Sequence, residues 1–180
     1  MQLLPAERIE LRGLILQRET VADAERVATA VADNLSHLTP WMAWAVPEAS
    51  AVSFQRERLT SAMKRWQDGT DYGYLLWARD SDELLGMCGL HRRIGPGGIE
   101  LGYWLTVAAV GHGHITSAAQ ALTIAGLALP GVDRVEIHCD EANVRSQAVP
   151  RRLGYRLDRI EADDIAAPAE TGWSMIWIFR

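Results

Sequence analysis

The stretch of the chain best suited to chemistry is residues 105–116, Leu-Thr-Val-Ala-Ala-Val-Gly-His-Gly-His-Ile-Thr. A strand-like pattern ends there, a loop holding Gly111 and Gly113 follows, and a helical pattern begins near His114. Glycines let the backbone turn and leave its N–H groups unobstructed, while a helix N-terminus carries partial positive charge. That combination suits a phosphate or pyrophosphate. A plain tight turn would use the same two glycines. No Gly-Lys-Ser/Thr follows and no third glycine completes a dinucleotide fingerprint, which disfavours nucleoside triphosphatase and Rossmann oxidoreductase chemistry. A second stretch, residues 135–149, places Asn143 and Ser146 where a strand pattern gives way to a short helix. Asn143 at that position can cap the helix. The amide and the hydroxyl can equally hydrogen-bond a ligand lying between this strand and its neighbour.

These residues need elements to hold them. Apolar spacing predicts a strand over 9–18 with an irregularity, a bulge by type, at Gly13. A helix follows from a Thr20 cap to about residue 35, then a second one from Ser50 or Ser53 to Gly69. Three consecutive strands are expected at 72–79, 84–94 and 99–107, with turns at 80–83 and 95–98 between them. Then come a helix over 114–129, a strand at 134–139, a helix over 146–153 stopped by Gly154, and strands at 156–161 and 172–179. Runs of antiparallel strands joined to a strand–helix–strand centre indicate an α/β domain with a mixed sheet.

The whole-chain numbers set the outer limits. At 180 residues, 48% hydrophobic and 23% charged, residues 1–180 read as a single globular domain without repeats. Eighteen basic against 23 acidic residues leave a net charge of −5, against direct nucleic-acid binding. Cys88 and Cys139 form neither a disulfide framework nor a metal-type spacing. No apolar run is long enough to span a membrane, and the N-terminus lacks a leader pattern. A cytoplasmic protein without membrane association is the expectation.

The strand Leu-Gly-Tyr-Trp-Leu-Thr-Val, the glycine loop, its helix and the segment from Glu136 to Tyr155 together resemble the GNAT acyl-CoA-dependent N-acyltransferases. Within them the chain is most similar to the RimL/RimJ branch, which acetylates ribosomal-protein N-termini. Four patterns combine to carry the resemblance: E-x-G-Y-W-L from Glu100, G-x-G-x-x-T from Gly111, N-x-x-S-x-x-V from Asn143 and Leu153-Gly154-Tyr155. It covers nearly the whole chain. It implies a GNAT fold: a mixed, mostly antiparallel sheet of six to seven strands, splayed at its centre, with flanking helices. It implies acetyl-CoA as cosubstrate and no metal.

By the same resemblance, the backbone near Leu105 and Val107 would pair with the pantetheine arm. Val110, Gly111, His112, Gly113, His114 and Ile115 would offer N–H groups to the pyrophosphate, with Thr116 beside it. Val110 and Ile115 depart from the family signature, which begins with Gln or Arg and ends with Gly or Ala; backbone donors survive that change. Asn143 would bind pantetheine, and Ser146 would donate to the departing sulfur. The reaction is then attack of a deprotonated primary amine on the thioester, through a tetrahedral oxyanion, helped chiefly by positioning.

Glu100 is the candidate base, although strand alternation sets residues 100, 102 and 104 on the opposite face from 101, 103 and 105. Glu141, Glu161, Asp163, Asp164 and Glu170 are other carboxylates within the region. Trp41 and Trp44 suggest a flat apolar shelf beside a cationic amine, and His91 is a candidate for the same cleft. His112 and His114, without carboxylate or thiol company, do not make a metal site. The acceptor is expected to be a protein N-terminal α-amine or similar cationic amine, in keeping with the −5 charge. Three alternatives stand: a small-molecule amine of aminoglycoside type, a succinyl donor met by Arg92, Arg93 or Arg145, and a non-catalytic CoA-binding regulator. A homodimer is common in the family.

Overall fold

A computed structural model describes residues 4–180. The first expected strand is a hairpin: β1 (Arg8–Leu11) and β2 (Leu14–Arg18) pair with Ile9 opposite Leu16 and Leu11 opposite Leu14. Gly13, at φ +74°, makes the turn between them. A bulge and a turn glycine leave the same mark in a sequence, and the alternation continues through either. This hairpin and the remaining strands bring the sheet to eight rather than six to seven.

Helix α1 (Ala24–Leu38) follows a short turn in which the Asp23 carboxylate accepts from both the N–H and the hydroxyl of Thr20. Its apolar stripe buries Val27, Val31 and Leu38. Helix α2 (Val52–Asp68) starts at Ala51, so neither Ser50 nor Ser53 caps it, and it ends at Gly69 with φ +73°. Then come β3 (Asp71–Ala78), β4 (Leu84–His91) and β5 (Gly97–Leu105) in antiparallel succession. Helix α3 (His114–Leu127) crosses to β6 (Val132–Asp140), which lies parallel to β5. Helix α4 (Val144–Arg152), β7 (Arg156–Ala162) and β8 (Trp173–Phe179) complete the chain. The sheet order is β1-β2-β3-β4-β5-β6-β8-β7, with β5–β6 its parallel pair.

Each face of the sheet carries its own core. Tyr72, Leu90, Ile99, Leu101, Val135 and Ile137 pack against Ala118, Ala119 and Leu122 of α3 and Val149 of α4. Small residues let α3 lie close: a Cβ on Gly126 would come within 3.2 Å of the Val135 side chain. On the opposite face Leu75, Leu84 and Trp104 pack against Val27 and Val31 of α1 and against Ala45 and Met42 of the loop after it. Each such large side chain, fully buried, contributes about 1.5–3 kcal/mol. The two cores clamp β5 from both sides and leave its far end to one strand neighbour.

Candidate active site

β5 and β6 stay paired from Gly97 opposite Val132 to Glu100 opposite Glu136, and no further. Beyond that point β5 remains bonded to β4 as far as Leu105, while β6 remains bonded to β8 as far as Asp140. A wedge-shaped gap opens between them. The Thr106 N–H donates to Leu85 O at 2.9 Å, on the β4 side. Strand alternation therefore turns the N–H and C=O groups of Leu101, Tyr103 and Leu105 into the gap. Such an inner edge can hydrogen-bond an extended amide chain as an added strand would.

Val107 falls beyond that edge. It lies in a short turn, Val107–Ala109, and its N–H already donates to Asn34 Oδ1 of α1 at 2.7 Å. The expected backbone pairing thus fits Leu105 and not the Val107 N–H. Past the turn, Gly111 and Gly113 adopt φ +88° and +79°. A Cβ at either would meet nothing within 4 Å, so both positions require backbone freedom rather than space. Gly113 takes the cap position of α3 and brings no side-chain acceptor. Among the described residues, the N–H groups of 111–116 donate to no protein acceptor; Ser117, bonded to Gly113 O at 3.1 Å, is the first that does. Val110, Ile115 and Thr116 are half-buried around this cradle. The His112 and His114 rings stack 5.7 Å apart, and burial, with His112 beside it, holds His114 below its usual pKa.

On the other side of the gap, Asn143 caps α4: its Oδ1 accepts from the Ser146 N–H at 3.1 Å. Its Nδ2 donors remain for a ligand. The Tyr103 hydroxyl crosses from β5 to reach Ser146 Oγ at 3.2 Å and Ser146 O at 3.1 Å. Burial raises the Tyr103 pKa, so this phenol keeps its proton. Cys139, next to Ser146, is pushed up to about 11 by burial and stays a thiol at neutral pH. Asn143, Ser146, Cys139 and Tyr103 all line one cavity of about 430 Å³.

That cavity continues over the α1 side of the sheet. There Asp71, His91, Glu100 and Glu136 stand directly opposite one another on β3, β4, β5 and β6, in one row across the sheet. Each carboxylate has its own arginine. Arg65 Nε meets Asp71 at 2.6 Å, Arg134 Nε meets Glu136 at 2.6 Å, and Arg93 grips Glu100 through two bonds of 2.6 and 2.7 Å. Glu100 faces the cavity as alternation requires, with no bulge in its register with β4. Its state is not that of a base, however. Burial pushes its pKa up, but the Arg93 hydrogen bonds and charge outweigh this and hold it low. A carboxylate so stabilised is a poor proton acceptor.

The remaining candidates sort by position. His91 lines the cavity, its Nδ1 3.0 Å from Asp71 Oδ1. Trp41 and Trp44 both line it, Trp44 tilted against Trp104 with centroids 5.9 Å apart. Trp41 is half-buried rather than exposed. Glu170 borders the cavity, but one of its oxygens already accepts the N–H groups of Ala166 and Ala167. Glu141, Glu161, Asp163 and Asp164 are exposed elsewhere. Arg93 is engaged by Glu100, Arg92 donates to Pro130 O, and Arg145 is exposed away from the cavity, so none is aimed at a second carboxylate of the donor.

Sequence reasoning missed Asn34, Tyr103, Asp71, Arg65 and Arg134, and it assigned Arg93 to a donor carboxylate rather than to Glu100. Asn34 did carry a signal: it is a polar residue among the apolar positions of α1, and it is buried. Tyr103 stood in view inside the E-x-G-Y-W-L pattern.

The chain matches the family described as "Acetyltransferase (GNAT) domain" over residues 13–156. Over 136 residues it is 29% identical to the "Putative ribosomal N-acetyltransferase YdaF" of Bacillus subtilis (strain 168), covering 74% of this chain and 72% of that one. Among solved structures it is similar to RimL, a ribosomal L7/L12 alpha-N-protein acetyltransferase in complex with coenzyme A. That similarity has a TM-score of 0.87 at 20% identity, over 96% of this chain and 97% of the other. It is also similar to the microcin C7 self immunity acetyltransferase MccE in complex with acetyl-CoA and AMP. There the TM-score is 0.84 at 18% identity, over 94% and 93% of the two chains. At these identities the solved structures speak for the fold.

Proposed function

The chain belongs to the GNAT acetyltransferase family, and from that premise we propose that it moves an acetyl group from acetyl-CoA to the N-terminal α-amine of a protein. The observation that carries this reading is the β5–β6 gap ending at six free N–H groups, residues 111–116. The pyrophosphate accepts from those groups at the positive end of α3. The pantetheine amides pair with the open edge at Leu101, Tyr103 and Leu105, and the Asn143 amide reaches them from α4. The thioester then lies between β5 and Ser146. After the amine attacks, Ser146 Oγ gives a proton or hydrogen bond to the leaving sulfur, and the Tyr103 hydroxyl orients it. Glu100 serves to position Arg93 and to keep the cavity floor charged. Trp41 and Trp44 form the wall against which the cationic acceptor enters.

The relatives named for ribosomal proteins support a protein acceptor, and a net charge of −5 favours a basic one. Residues 1–180 act as one catalytic domain in this reading, since one sheet takes strands from Arg8 through Phe179. No helix among the described residues is long and apolar enough to cross a membrane, which accords with a cytoplasmic enzyme. We carry over the family's homodimer as the expected assembly. A small amine is the second reading, supported by the microcin relative; the succinyl donor loses support because Arg58, Arg65 and Arg93, the arginines lining the cavity among the described residues, are each paired with a carboxylate.

Thiol release from acetyl-CoA tests the proposal. The acceptors are a basic pentapeptide with a free N-terminus, the same peptide blocked at its α-amine, and an aminoglycoside. Release with the free peptide alone, with the acetyl group on its α-nitrogen by mass spectrometry, is the expected result. Turnover confined to the aminoglycoside moves the acceptor to the second reading. Acetyl-CoA binding without turnover on any amine makes the protein a CoA-binding regulator.

A further inference from the structure

The proposed reaction needs a proton acceptor on the amine side, and the three carboxylates of the transverse row are all held by arginines. We propose that His91 takes the proton from the acceptor amine, with Asp71 as its positioning residue. The inference rests on the acetyltransfer reading and assigns the group which that reading leaves open.

Geometry singles out His91. Asp71 Oδ1 lies 3.0 Å from Nδ1, which fixes the tautomer with its proton on Nδ1 and the lone pair on Nε2. Arg65 holds the other Asp71 oxygen at 2.6 Å and so keeps that carboxylate ionised and immobile. The free Nε2 edge lies over two glycines paired across β4 and β5, Gly89 and Gly102. A Cβ on Gly89 would come 3.2 Å from Nε2, and one on Gly102 would come 3.6 Å from it. The two missing side chains form the shelf on which the ring rests inside the cavity. Gly102 is on β5 just past the last β5–β6 pair, where the gap opens toward the thioester position.

The second histidine of the region is turned the other way. His138 directs Nε2 to Glu136 at 2.7 Å, which leaves only Nδ1, the nitrogen nearest its own backbone. His91 therefore presents its outer nitrogen and His138 its inner one. Around His91 stand Asp71 backed by Arg65, Glu100 with Arg93, Glu136 with Arg134 and His138 one strand beyond Glu100, and Glu19, just after β2 and over Gly73 of β3, with Arg58 of α2. Burial pushes the three row carboxylates up, but hydrogen bonds and charge from His91, Arg65, Arg93, His138 and Arg134 outweigh it and hold all three below their usual pKa, so none of them is suited to take the proton.

The proton balance closes. An ammonium acceptor loses two protons in becoming an amide. His91 Nε2 accepts the first, giving the neutral amine whose lone pair forms the new C–N bond. The C–S bond then breaks, and the second proton ends on the CoA sulfur. The imidazolium returns its proton to solvent, so one proton is released per turnover.

The test is the pH dependence of kcat/KM for the free-amine pentapeptide with wild type, His91→Gln, His91→Ala, Asp71→Asn and His138→Gln. Acetyl-CoA affinity and melting temperature confirm that each variant is folded. The expected results are a loss of about 10²–10³-fold in His91→Gln at neutral pH, partial recovery at high pH where the amine is already neutral, and rescue of His91→Ala by added imidazole. Asp71→Asn keeps the ring and loses about 10-fold, and His138→Gln retains the acidic limb of the profile. A His91→Gln enzyme with an unchanged rate and acidic limb overturns the assignment alone. If wild type acetylates no amine, the functional reading fails and takes this one with it.

Discussion

The two halves of the proposed site are built on different principles. The donor half is backbone: six N–H groups at a helix start and an open strand edge, set by Gly111, Gly113 and the divergence of β5 from β6. The acceptor half is side chain: a row of carboxylates and imidazole on four strands, each carboxylate matched to an arginine. In the proposed reading, a backbone cradle would recognise what every acyl-CoA shares and tolerate changes of side chain, as at Val110 and Ile115. A side-chain row can be retuned one residue at a time, which is where a choice among amines belongs.

If the halves are separable, each should fail in its own measurement. After the loss expected for His91→Gln, the largest effect lies at their meeting point, where Ser146→Ala should lower kcat about 10²-fold with acetyl-CoA affinity unchanged, measured by thiol release and calorimetry. An unchanged kcat would remove Ser146 from the leaving-group role. Next, Gly113→Ala forces a side chain into φ +79°, a cost of about 1–2 kcal/mol that should weaken acetyl-CoA binding about 10-fold. Asn34→Ala removes the 2.7 Å bond that fixes Val107 before the loop and should weaken the same binding by about 1 kcal/mol, roughly 5-fold. In both variants the pH profile for the amine should keep its shape.

The smallest effect is on stability. Glu100, Asp71 and Glu136 have folded pKa values below their unfolded ones. Their contribution is therefore complete above the ordinary carboxylate pKa and is lost as pH falls through the folded values. Melting temperature should hold from pH 8 to 5 and drop below about pH 4, and Glu100→Gln should make that drop shallower. Arg93 is more than half exposed, so solvent screening keeps the change modest.

The same division explains what could be read from the sequence. Gly111, Gly113 and the helix start at His114 act within a few residues of one another, so their spacing marked a glycine turn at a helix start, a pattern that a cradle and a plain tight turn share. Asn143 and Ser146 were legible for the same reason, as a strand exit running into a helix. The first strand was misread because Gly13 turns the chain within a pattern whose alternation continues on both sides. Of the acceptor row, His91 and Glu100 were named from the sequence, but their alignment with Asp71 and Glu136 was not legible. Asp71, His91, Glu100 and Glu136 become neighbours only through strand register, and Arg93 reaches Glu100 across the turn between β4 and β5. Glu100 was named as the candidate base and lines the cavity, but its arginine decides whether it can take a proton, and no local spacing reveals that partner.

The separation of the halves is tested most directly by measuring acetyl-CoA Kd and amine kcat/KM side by side in Gly113→Ala and Asp71→Asn. The account predicts a raised Kd in the first with the acidic limb intact, and an unchanged Kd in the second with a reduced amine kcat/KM. Equal losses of acetyl-CoA affinity in both variants would contradict it.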